Sequence, residues 1–538
     1  MAHKTGSSEG SGQDRRTNGR SVLRRAAESL AAPREPADRR AILIALGIGL
    51  VIAALIFARA LLTADGYLSP DSMNYLALAA NLDRGLGFTV QNEGFFPAHF
   101  ERFAIWPVGY PLGISLAARL SGLSPFLAAK VLGALMALAC TGMVARAGGR
   151  TGWVLALPFA FAAALEIFSY SWSEVPFIFF LVCAALLLAR IIGERQANTP
   201  PRALFLALCS LGLFLSRYVG AFAVALPGLA ALIGAIRRDR RAVLVNAALF
   251  LASAGFIALY LRSNAAATGY ATGMPRIPAL DTPWHRLQTL LTALGDAAIL
   301  PVGGVWDKLP DFAPRLFTSP AGWLALAQLA AFVWLGAIIA RRHPRPLRGM
   351  RVDGLALSFL TVGTAYLGAI IALRWTNEFD PYNFRLLGPG TLLVTIGLLR
   401  AALVSWPGAT RQIALLAATA AACSCLVAVW PLLTRPISRY SATVRAVRQH
   451  YRAVPGGAIV VFGSDHLHYL RPDLYLAEPL CEPWFDERES WSRFMAEIDH
   501  RRPIFVDMTG HALSTGGCLP SVPAALEGRK PGELFRLP

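Results

Sequence analysis

The sequence contains few charged residues for its length. Only 16% of its 538 residues are Asp, Glu, Lys or Arg, whereas 55% are hydrophobic, and the mean hydropathy is +0.47. A soluble protein of this size has too small an interior for that much apolar surface, so the composition excludes a soluble class. It indicates a polytopic α-helical membrane protein.

Nucleotide-binding motifs are missing as well. The sequence contains neither a Gly-x-x-x-x-Gly-Lys-Ser/Thr loop nor a Gly-rich dinucleotide fingerprint, and no cytoplasmic segment is long enough to bind a nucleotide sugar. Any donor substrate must therefore be reachable from the membrane or from its outer side. An internal repeat of the kind that marks many transporters is not evident.

Acidic residues are scarce relative to basic ones. There are 33 Asp and Glu against 51 Lys and Arg, which gives a formal net charge of +18. The basic residues cluster in short stretches between apolar runs, as in 237–241. This is the positive-inside pattern of membrane proteins and not a basic groove, so no nucleic-acid partner is expected.

Cysteine is rare, with seven residues. Five of them lie in apolar runs, where we expect small buried hydrophobic side chains: Cys140, Cys183, Cys209, Cys423 and Cys425. Cys481 and Cys518 lie in the polar C-terminal region. If that region is outside the cytoplasm, these two could form a disulfide, which we state as a hypothesis.

The apolar runs predict about eleven membrane spans between residues 41 and 435. We place them at 41–62, 125–145, 152–168, 175–193, two spans within 203–236 separated at Arg217, 242–262, 323–340, 354–373, 386–404 and 411–433. Long outer loops are expected at about 63–124 and 263–320. Residues 1–40 are polar and basic and are predicted to be a disordered cytoplasmic tail.

An odd number of spans places the two termini on opposite sides of the membrane. High Ala, Arg, Gly and Pro contents suggest a bacterial chain, so we expect an inner-membrane protein with a cytoplasmic N-terminus and a periplasmic C-terminus. Residues 436–538 have two strand-like runs, at 458–462 and 503–507, each preceded by a helical pattern, near 441–453 and 489–500. They predict a small α/β domain outside the membrane.

The first outer loop contains a clear helix start. Ser69 suits the N-cap, Pro70 suits the first helical position, and Asp71 falls in the first turn near the positive end of the helix dipole. Tyr75 begins an apolar stripe at helical spacing. The pattern predicts an amphipathic helix on the membrane surface with a carboxylate at its start, and Asp71 is either a helix cap or a catalytic base. Residues 106–115 predict a second surface helix, with Trp106 and Tyr110 at headgroup depth.

The predicted topology collects ionisable residues of both signs at the outer face. They are Asp65, Asp71, Glu101, Arg102, Glu174, Arg217, Arg374, Glu378, Asp380 and Arg385. A carboxylate beside arginines suits glycosyl transfer from a lipid phosphate, because the carboxylate accepts a proton from the acceptor and the guanidinium stabilises the leaving phosphate. The plainer interpretation is that Asp65 ends the first span and that Arg217 and Arg374 extend to lipid headgroups. The spacing of His466 and His468 fits no metal motif well.

Five motifs occur in a fixed order along the chain: Ser-Pro-Asp71-Ser-Met-Asn-Tyr75 with the ending Gly85-x-Gly87-Phe, Trp106-Pro-x-Gly-Tyr-Pro, Ser173-Glu174-x-Pro-Phe, Ser216-Arg217-Tyr218-x-Gly220 and Arg385-x-x-x-Pro389. Over roughly residues 40–435 the sequence resembles the GT-C superfamily of integral-membrane glycosyltransferases. The resemblance is to bacterial relatives of the dolichyl-phosphate-mannose protein mannosyltransferases and of the lipid A aminoarabinose transferase.

This resemblance implies a polyprenyl-phosphate-linked sugar donor and an inverting transfer. It places the catalytic base of the first loop at Asp71, with Asp65 as the rival, and the phosphate-binding arginine at Arg385. Glu174 and Arg217 match positions that line the cavity in relatives. Many relatives carry paired acids in the first loop, whereas Ser72 follows Asp71 here, so Glu101 becomes a candidate for the second carboxylate. Arg102 and Tyr75 are further candidates for substrate binding.

The expected function is transfer of a sugar from a polyprenyl phosphate to a cell-envelope acceptor, which is a lipid, a glycan or a protein, at the outer face of the inner membrane. The alternatives are a non-catalytic lipid-glycan flippase or transporter, and a membrane assembly scaffold. The sequence leaves open the sugar, the acceptor, a requirement for a divalent metal, the oligomeric state and the role of the C-terminal domain.

Overall fold

The computed structural model describes residues 37–91, 100–194, 198–279, 281–299, 351–377, 383–434, 437–477, 498–508 and 533–537, together with residues 330, 333–334, 336–338, 341, 495–496 and 530. Parts of the sequence predictions lie outside the described residues: most of the N-terminal tail, the span at 323–340 apart from single residues, Glu378, Asp380, Cys481 and Cys518.

The protein is a multi-pass membrane protein. Within the described residues, eight helical segments are long and apolar enough to cross a bilayer: Arg39–Leu62, Pro125–Ala160, Glu174–Gly193, Tyr218–Ile236, Arg240–Thr268, Gly354–Thr376, Phe384–Ser405 and Pro407–Thr434. In these segments the α-helices are α1 (Arg39–Leu62), α4 (Pro125–Gly148), α5 (Gly152–Ala156), α7 (Glu174–Gly193), α9 (Ala225–Ile236), α10 (Arg240–Thr268), α12 (Gly354–Thr376), α13 (Phe384–Ser405) and α14 (Thr410–Thr434).

The predicted count of eleven spans differs from these eight for three reasons. The predicted span at 152–168 is broken into α5, a 3-10 helix at Leu157–Ala160 and α6 (Ala162–Ser169), because Phe161 is extended between them. Helix α8 (Pro200–Ser216) is apolar but has only 17 residues, which is short for a span. The span at 323–340 lies almost wholly outside the described residues. The predicted break at Arg217 is confirmed, since this residue is extended with φ −150° and ψ 139°.

A polar layer covers one end of the spans, which we call the α2 end. It contains α2 (Pro70–Asp83), α3 (Gly109–Ser121) and an antiparallel hairpin of β1 (Thr89–Gln91) and β2 (Phe100–Arg102), in which Val90 is paired with Glu101. The predicted start of α2 is confirmed, because Ser69 Oγ accepts a hydrogen bond from the Ser72 amide and Pro70 is the first helical residue. The helix ends before Gly85, whose φ of +78° suits glycine.

The apolar side of α2 packs against protein, which differs from the predicted contact with the bilayer surface. Tyr75 is fully buried, and its ring lies edge-on to Trp106 at 5.6 Å and to Tyr110 at 5.4 Å. Tyr110, which was predicted as an interfacial residue, is itself buried in α3. The rings of Tyr75 and Tyr110 are thus buried between α2 and α3, whereas Leu112, Leu116 and Leu120 leave one side of α3 exposed.

The C-terminal region contains a four-stranded sheet in the order β4-β3-β5-β6. Strands β3 (Ile459–Val461), β4 (Tyr475–Ala477) and β5 (Ile504–Asp507) are parallel, and β6 (Leu534–Arg536) pairs antiparallel with β5. Helix α15 (Tyr440–His450) precedes β3, and the short α16 (Leu467–Leu470) precedes β4. Both predicted strands are confirmed, as is the helix expected near 441–453. The helix expected near 489–500 lies mostly outside the described residues.

This sheet is anchored to the α2 end of the spans. Gln91 Nε2 in β1 donates to the Leu476 carbonyl at 2.8 Å in a buried contact. The Tyr440 ring stacks on Phe126, the second residue of α4, with 4.1 Å between ring centroids, and its hydroxyl is hydrogen-bonded to Tyr469. The sheet therefore contacts the β1–β2 hairpin, and helix α15 of the same region contacts the start of α4.

The cysteines in the apolar runs are free. Cys140, Cys183 and Cys209 are buried as predicted, and Cys423 and Cys425 are partly buried. Helix α11 (Pro283–Ile299) lies within the predicted second outer loop. Most of the rest of that loop lies outside the described residues.

The turn between α4 and α5 gives a test of the packing. A Cβ atom added at Gly152 would lie 2.0 Å from the Ala145 carbonyl oxygen, whereas one added at Gly255 in α10 would have no heavy atom within 4 Å. We expect Gly152→Ala to destabilise the protein by about 1–3 kcal/mol, because backbone atoms have to move. Gly255→Ala should leave the unfolding temperature of the purified protein in detergent unchanged or slightly raised. Equal melting temperatures for both variants would contradict this packing.

Candidate active site

Four charged side chains meet at the α2 end of the spans. Asp71 is in the first turn of α2, Glu174 is the first residue of α7, Arg217 follows α8 directly, and Arg385 is the second residue of α13. We call these four residues the acid–arginine cluster. They come from positions as far apart as 314 residues in sequence, so helix packing alone brings them together.

Arg385 connects the two carboxylates of the cluster. Its Nε donates to Glu174 Oε1 and its Nη2 donates to Asp71 Oδ2. The guanidinium also lies over the Trp172 ring, with 4.5 Å from Cζ to the ring centroid. Asn383 caps α13 by accepting from the Leu386 amide at 3.0 Å, which fixes the helix start that carries Arg385. The Arg385 guanidinium is therefore fixed by two carboxylates and by the Trp172 ring.

Glu174 is the buried member of the cluster. Its side chain is 0% exposed and pairs with both Arg217 and Arg385. A carboxylate removed from water is stable only when it is paired, and here two guanidinium groups supply the opposite charge. Glu174 therefore holds the two arginines in position and is not itself accessible.

Asp71 is the accessible carboxylate of the cluster. Its side chain is 22% exposed, compared with 0% for Glu174, and those of Arg385 and Arg217 are 19% and 17% exposed. The cluster thus has an inner acid and an outer acid with Arg385 between them, and Arg217 contacts the inner acid. Only the outer acid is placed to exchange a proton with a molecule that approaches from solvent or from the bilayer surface.

Tyr75 and Ser173 lie behind the cluster. The Tyr75 hydroxyl donates to Ser173 Oγ at 3.0 Å, and Ser173 in turn lies 3.4 Å from Glu174 Oε2. Burial and the negative charges of Asp71 and Glu174 raise the pKa of Tyr75 far above its usual value, so the phenol stays protonated and acts as a donor. Tyr75 was predicted to bind substrate. In the structure it is fully buried, and its hydroxyl positions Ser173 beside Glu174.

Trp172 links the two segments that carry the acids. Its Nε1 donates to Ser69 Oγ, the N-cap of α2, at 2.7 Å, and its ring stacks on Tyr170 with 4.1 Å between centroids and 5° between planes. The loop before α7 is therefore tied to the start of α2. This fixes the separation of Asp71 and Glu174.

A second polar cluster lies under these loops. Lys130 in α4 is 1% exposed, and its Nζ donates to the Ser169 carbonyl at 2.7 Å and to the Tyr67 carbonyl at 3.1 Å. Arg59 in α1 donates to Ser169 Oγ at 2.8 Å and is paired with Glu166 in α6. Lys130 therefore holds the backbone before α2 and at the end of α6, and Arg59 contacts side chains of the same two segments.

Sequence reasoning missed this second cluster although a signal was present. Arg59, Lys130 and Glu166 each fall inside an apolar run that was predicted to span the membrane. Charged residues at membrane depth are costly and usually have partners, so their presence indicated an internal polar cluster. Their mutual contacts required the packing of α1, α4 and α6.

Four residues that were predicted at the outer face lie on other elements than the acid–arginine cluster. Asp65 is exposed, and its Oδ1 accepts from the Tyr67 amide at 3.3 Å, so it stabilises the turn between α1 and α2. Glu101 and Arg102 are in β2, and the side chain of Arg102 is exposed. Arg374 is paired with Asp281 at 3.3 Å, away from Asp71. The second carboxylate of the cluster is thus Glu174, and Glu101 lies on the hairpin.

His466 and His468 are the two histidines that lie close together in the C-terminal region. His466 packs edge-on against Tyr440 and Tyr469, and burial lowers the pKa of His468 to about 4, which keeps it neutral. Among the residues that the structure describes, no group of three or more His, Cys, Asp or Glu is arranged to hold a metal ion.

Comparison with known proteins gives matches only among solved structures. No family model matches the sequence, and no curated protein is significantly similar to it. ArnT from Cupriavidus metallidurans bound to undecaprenyl phosphate is 13% identical with a TM-score of 0.49, and the alignment covers 86% of this chain and 92% of that one.

Two further similar structures come from other organisms. The Archaeoglobus fulgidus oligosaccharyltransferase in complex with zinc and sulfate is 14% identical, with a TM-score of 0.46 over 88% of this chain and 70% of that one. The arabinofuranosyltransferase AftD from Mycobacteria is 16% identical, with a TM-score of 0.47 over 88% and 35%. All three are GT-C membrane glycosyltransferases, the superfamily that the sequence motifs resemble. At TM-scores of at most 0.49, this likeness assigns no activity to the chain, and the function has to be argued from the site.

The buried acid gives a test of the cluster. Glu174→Gln removes the carboxylate that both Arg217 and Arg385 contact, so two largely buried cations lose a partner. We expect a loss of about 3–5 kcal/mol in the free energy of unfolding, measured by denaturation of the purified protein in detergent. The matched control is Asp83→Asn, which removes an acid that pairs with Arg119 at the surface of the same layer and should cost less than about 1 kcal/mol. Similar losses in both variants would show that Glu174 is not the central partner.

Proposed function

We propose that this protein is a glycosyltransferase that moves a sugar from a polyprenyl-phosphate-linked donor to a hydroxyl group of a cell-envelope acceptor. The observation that carries the proposal is the position of Arg385 between the accessible carboxylate of Asp71 and the buried carboxylate of Glu174. A base next to a guanidinium is the pair of groups that transfer from a sugar phosphate requires.

Asp71 is the general base in this proposal. As the acceptor oxygen attacks the anomeric carbon, the new carbon–oxygen bond forms, the bond from that carbon to the phosphate oxygen breaks, and the acceptor proton passes to Asp71. The electrons of the broken bond stay on the phosphate oxygen, and the leaving group is the polyprenyl phosphate. Attack opposite to the leaving phosphate inverts the configuration at the anomeric carbon.

The arginines stabilise the phosphate that leaves. Arg385 is anchored through Nε and Nη2, and its Nη1 has no hydrogen bond within the described part of the chain. Arg217 is anchored by Glu174 and is 17% exposed. A guanidinium presents its N–H groups in a planar fork that matches phosphate oxygens, so negative charge that develops on the phosphate meets two oriented cations.

The burial of Glu174 explains why the first loop needs only one acid. Glu174 orients both arginines from below and leaves Asp71 free to act on the acceptor. In this arrangement the two carboxylates have different tasks, because one is enclosed and the other is at the surface of the site. Asp65 in the turn and Glu101 in the hairpin are not required for either task.

The distribution of charge favours an enzyme over a transporter. Arg59 lies in the last turn of α1, and Lys130 lies within two turns of the start of α4. Both positions are at the α2 end of the spans, where the acid–arginine cluster also lies. A transporter places its binding groups near the middle of the membrane, between two related halves. Positive residues at the opposite ends of the spans support an orientation in which the cluster is at the outer face of the inner membrane, the N-terminus is cytoplasmic and the C-terminus is periplasmic.

The activity is tested by analysis of lipid-linked sugars in cells that lack the gene. Accumulation of one polyprenyl-phosphate sugar, together with loss of that sugar from one envelope component, would identify donor and acceptor at once. If the lipid-linked sugars and the envelope components are unchanged, the transferase proposal is excluded and a scaffold is favoured. Accumulation of an unprocessed lipid-glycan on the cytoplasmic side would favour a flippase.

Asp71→Asn should abolish transfer without loss of expression. The amide keeps the shape of the side chain but is not a base, so we expect the rate to fall by about 10²–10⁴-fold. The control is Asp65→Asn, which alters an acid six residues earlier that only stabilises a turn and should retain activity. Transfer is measured as incorporation of sugar into the acceptor in the complemented deletion strain. Full activity of Asp71→Asn would make Asp71 a helix cap only.

Arg385→Lys separates charge from geometry. Lysine keeps the positive charge but cannot contact two carboxylates and a phosphate with one planar group. We expect at least about a tenfold loss of transfer from the proposed phosphate contact, while Arg102→Lys at the exposed end of β2 should have little effect. The comparison uses membranes with equal amounts of each variant. An active Arg385→Lys variant would mean that the fork geometry is not needed.

A further inference from the structure

A groove opens between the spans at the end opposite to the acid–arginine cluster. It has a volume of about 500 Å³, within the range of small-molecule sites in proteins. Met143, Leu187 and Phe205 contribute to its apolar walls. These side chains come from α4, α7 and α8, and Leu355 in α12 and Ala37 just before α1 complete the lining.

Three arginines line the same groove. Arg146 is in the last turn of α4, Arg190 is in the last turn of α7, and Arg202 is in the first turn of α8. Since α7 begins and α8 ends at the α2 end, all three arginines lie at the opposite end of the spans. The groove therefore has an apolar body and a basic mouth.

The basic mouth is only partly neutralised by the protein. Glu194 is paired with Arg202 at 3.5 Å, and both side chains are partly exposed. Arg146 and Arg190 are exposed and have no side-chain partner within the part of the chain that the structure describes. The mouth therefore has an excess of positive charge directly beside an apolar slot.

This combination matches an anionic amphiphile. Guanidinium groups bind phosphate oxygens in a planar fork, and basic pockets between membrane helices on the cytoplasmic side are typical sites for anionic lipid headgroups. The N-terminal tail of the chain is a poor occupant, because residues 1–36 contain seven basic and four acidic residues and would be repelled by the mouth. Charge complementarity thus favours a phospholipid over the protein's own tail.

We propose that this groove binds one anionic phospholipid of the adjacent leaflet, with its phosphate between Arg146, Arg190 and Arg202 and an acyl chain along the apolar walls. The site is distinct from the acid–arginine cluster. Arg190 follows Glu174 by 16 residues in α7, which corresponds to about 24 Å along the helix.

The lipid has a structural consequence for the other end of the spans. Helix α7 carries Arg190 at one end and Glu174 at the other, and α8 begins near Arg202 and ends just before Arg217. A lipid that contacts both helices stabilises their packing, and that packing sets the position of the Glu174–Arg217 pair. Bound anionic lipid should therefore raise the unfolding temperature of the protein.

The test compares lipid binding by groove and control variants of the full-length protein. Native mass spectrometry in detergent measures how much phosphatidylglycerol or phosphatidylcholine stays bound to wild type, to R146Q/R190Q/R202Q and to R238Q/R240Q/R241Q. The control variant removes as many arginines at the same end of the spans, and none of them lines the groove. Its purpose is to separate a defined site from general attraction between arginines and headgroups.

We expect wild type and the control variant to retain more phosphatidylglycerol than phosphatidylcholine. The groove variant should bind phosphatidylglycerol at least about tenfold more weakly than wild type does. Equal retention of both lipids, equal losses in both variants, or no lipid retained by wild type would overturn the proposal. The last result would mean that protein fills the groove. If the groove variant aggregates, Ala147→Phe provides the test instead, because it keeps all three arginines and narrows the apolar slot. Undiminished phosphatidylglycerol binding by Ala147→Phe would overturn the proposal.

Discussion

The buried carboxylate of Glu174 is the constraint on which the site depends. A charge without exposure to solvent has to be compensated by partners inside the protein, and Glu174 has Arg217 and Arg385. These two arginines belong to the end of α8 and the start of α13, so the packing of three helices is coupled to one ion-pair network. The position of Asp71 follows, because Asp71 shares Arg385 with Glu174.

The polar layer around this network is tied together by contacts between loops. Trp172 binds the cap residue of α2, and Lys130 binds the carbonyls of Tyr67 and Ser169 on the two chain segments that lead into α2 and α7. Hydrogen bonds to backbone carbonyls restrain the chain itself and not only side-chain rotamers. The accessible base of the proposed reaction is therefore mounted on a rigid support, which positions it within reach of an acceptor hydroxyl.

The C-terminal sheet is part of the same support. It contacts the β1–β2 hairpin through Gln91, and helix α15 of the same region contacts the start of α4 through Tyr440. The C-terminal region is therefore held against the same elements that position α2.

The sequence by itself determined the local structure around the site. Ser69, Pro70 and Asp71 specify a helix start through contacts within four residues, and apolar runs of sufficient length specify the spans, so both were predicted without the fold. The tertiary structure decided which charges meet. Asp71 and Arg385 are 314 residues apart in sequence. The residues next to Glu174 and Asp65 in the sequence do not indicate that Glu174 is buried and that Asp65 lies in a turn. The physical reason is that caps and hydrophobic runs are short-range properties, whereas the burial and pairing of a charge depend on how distant helices pack.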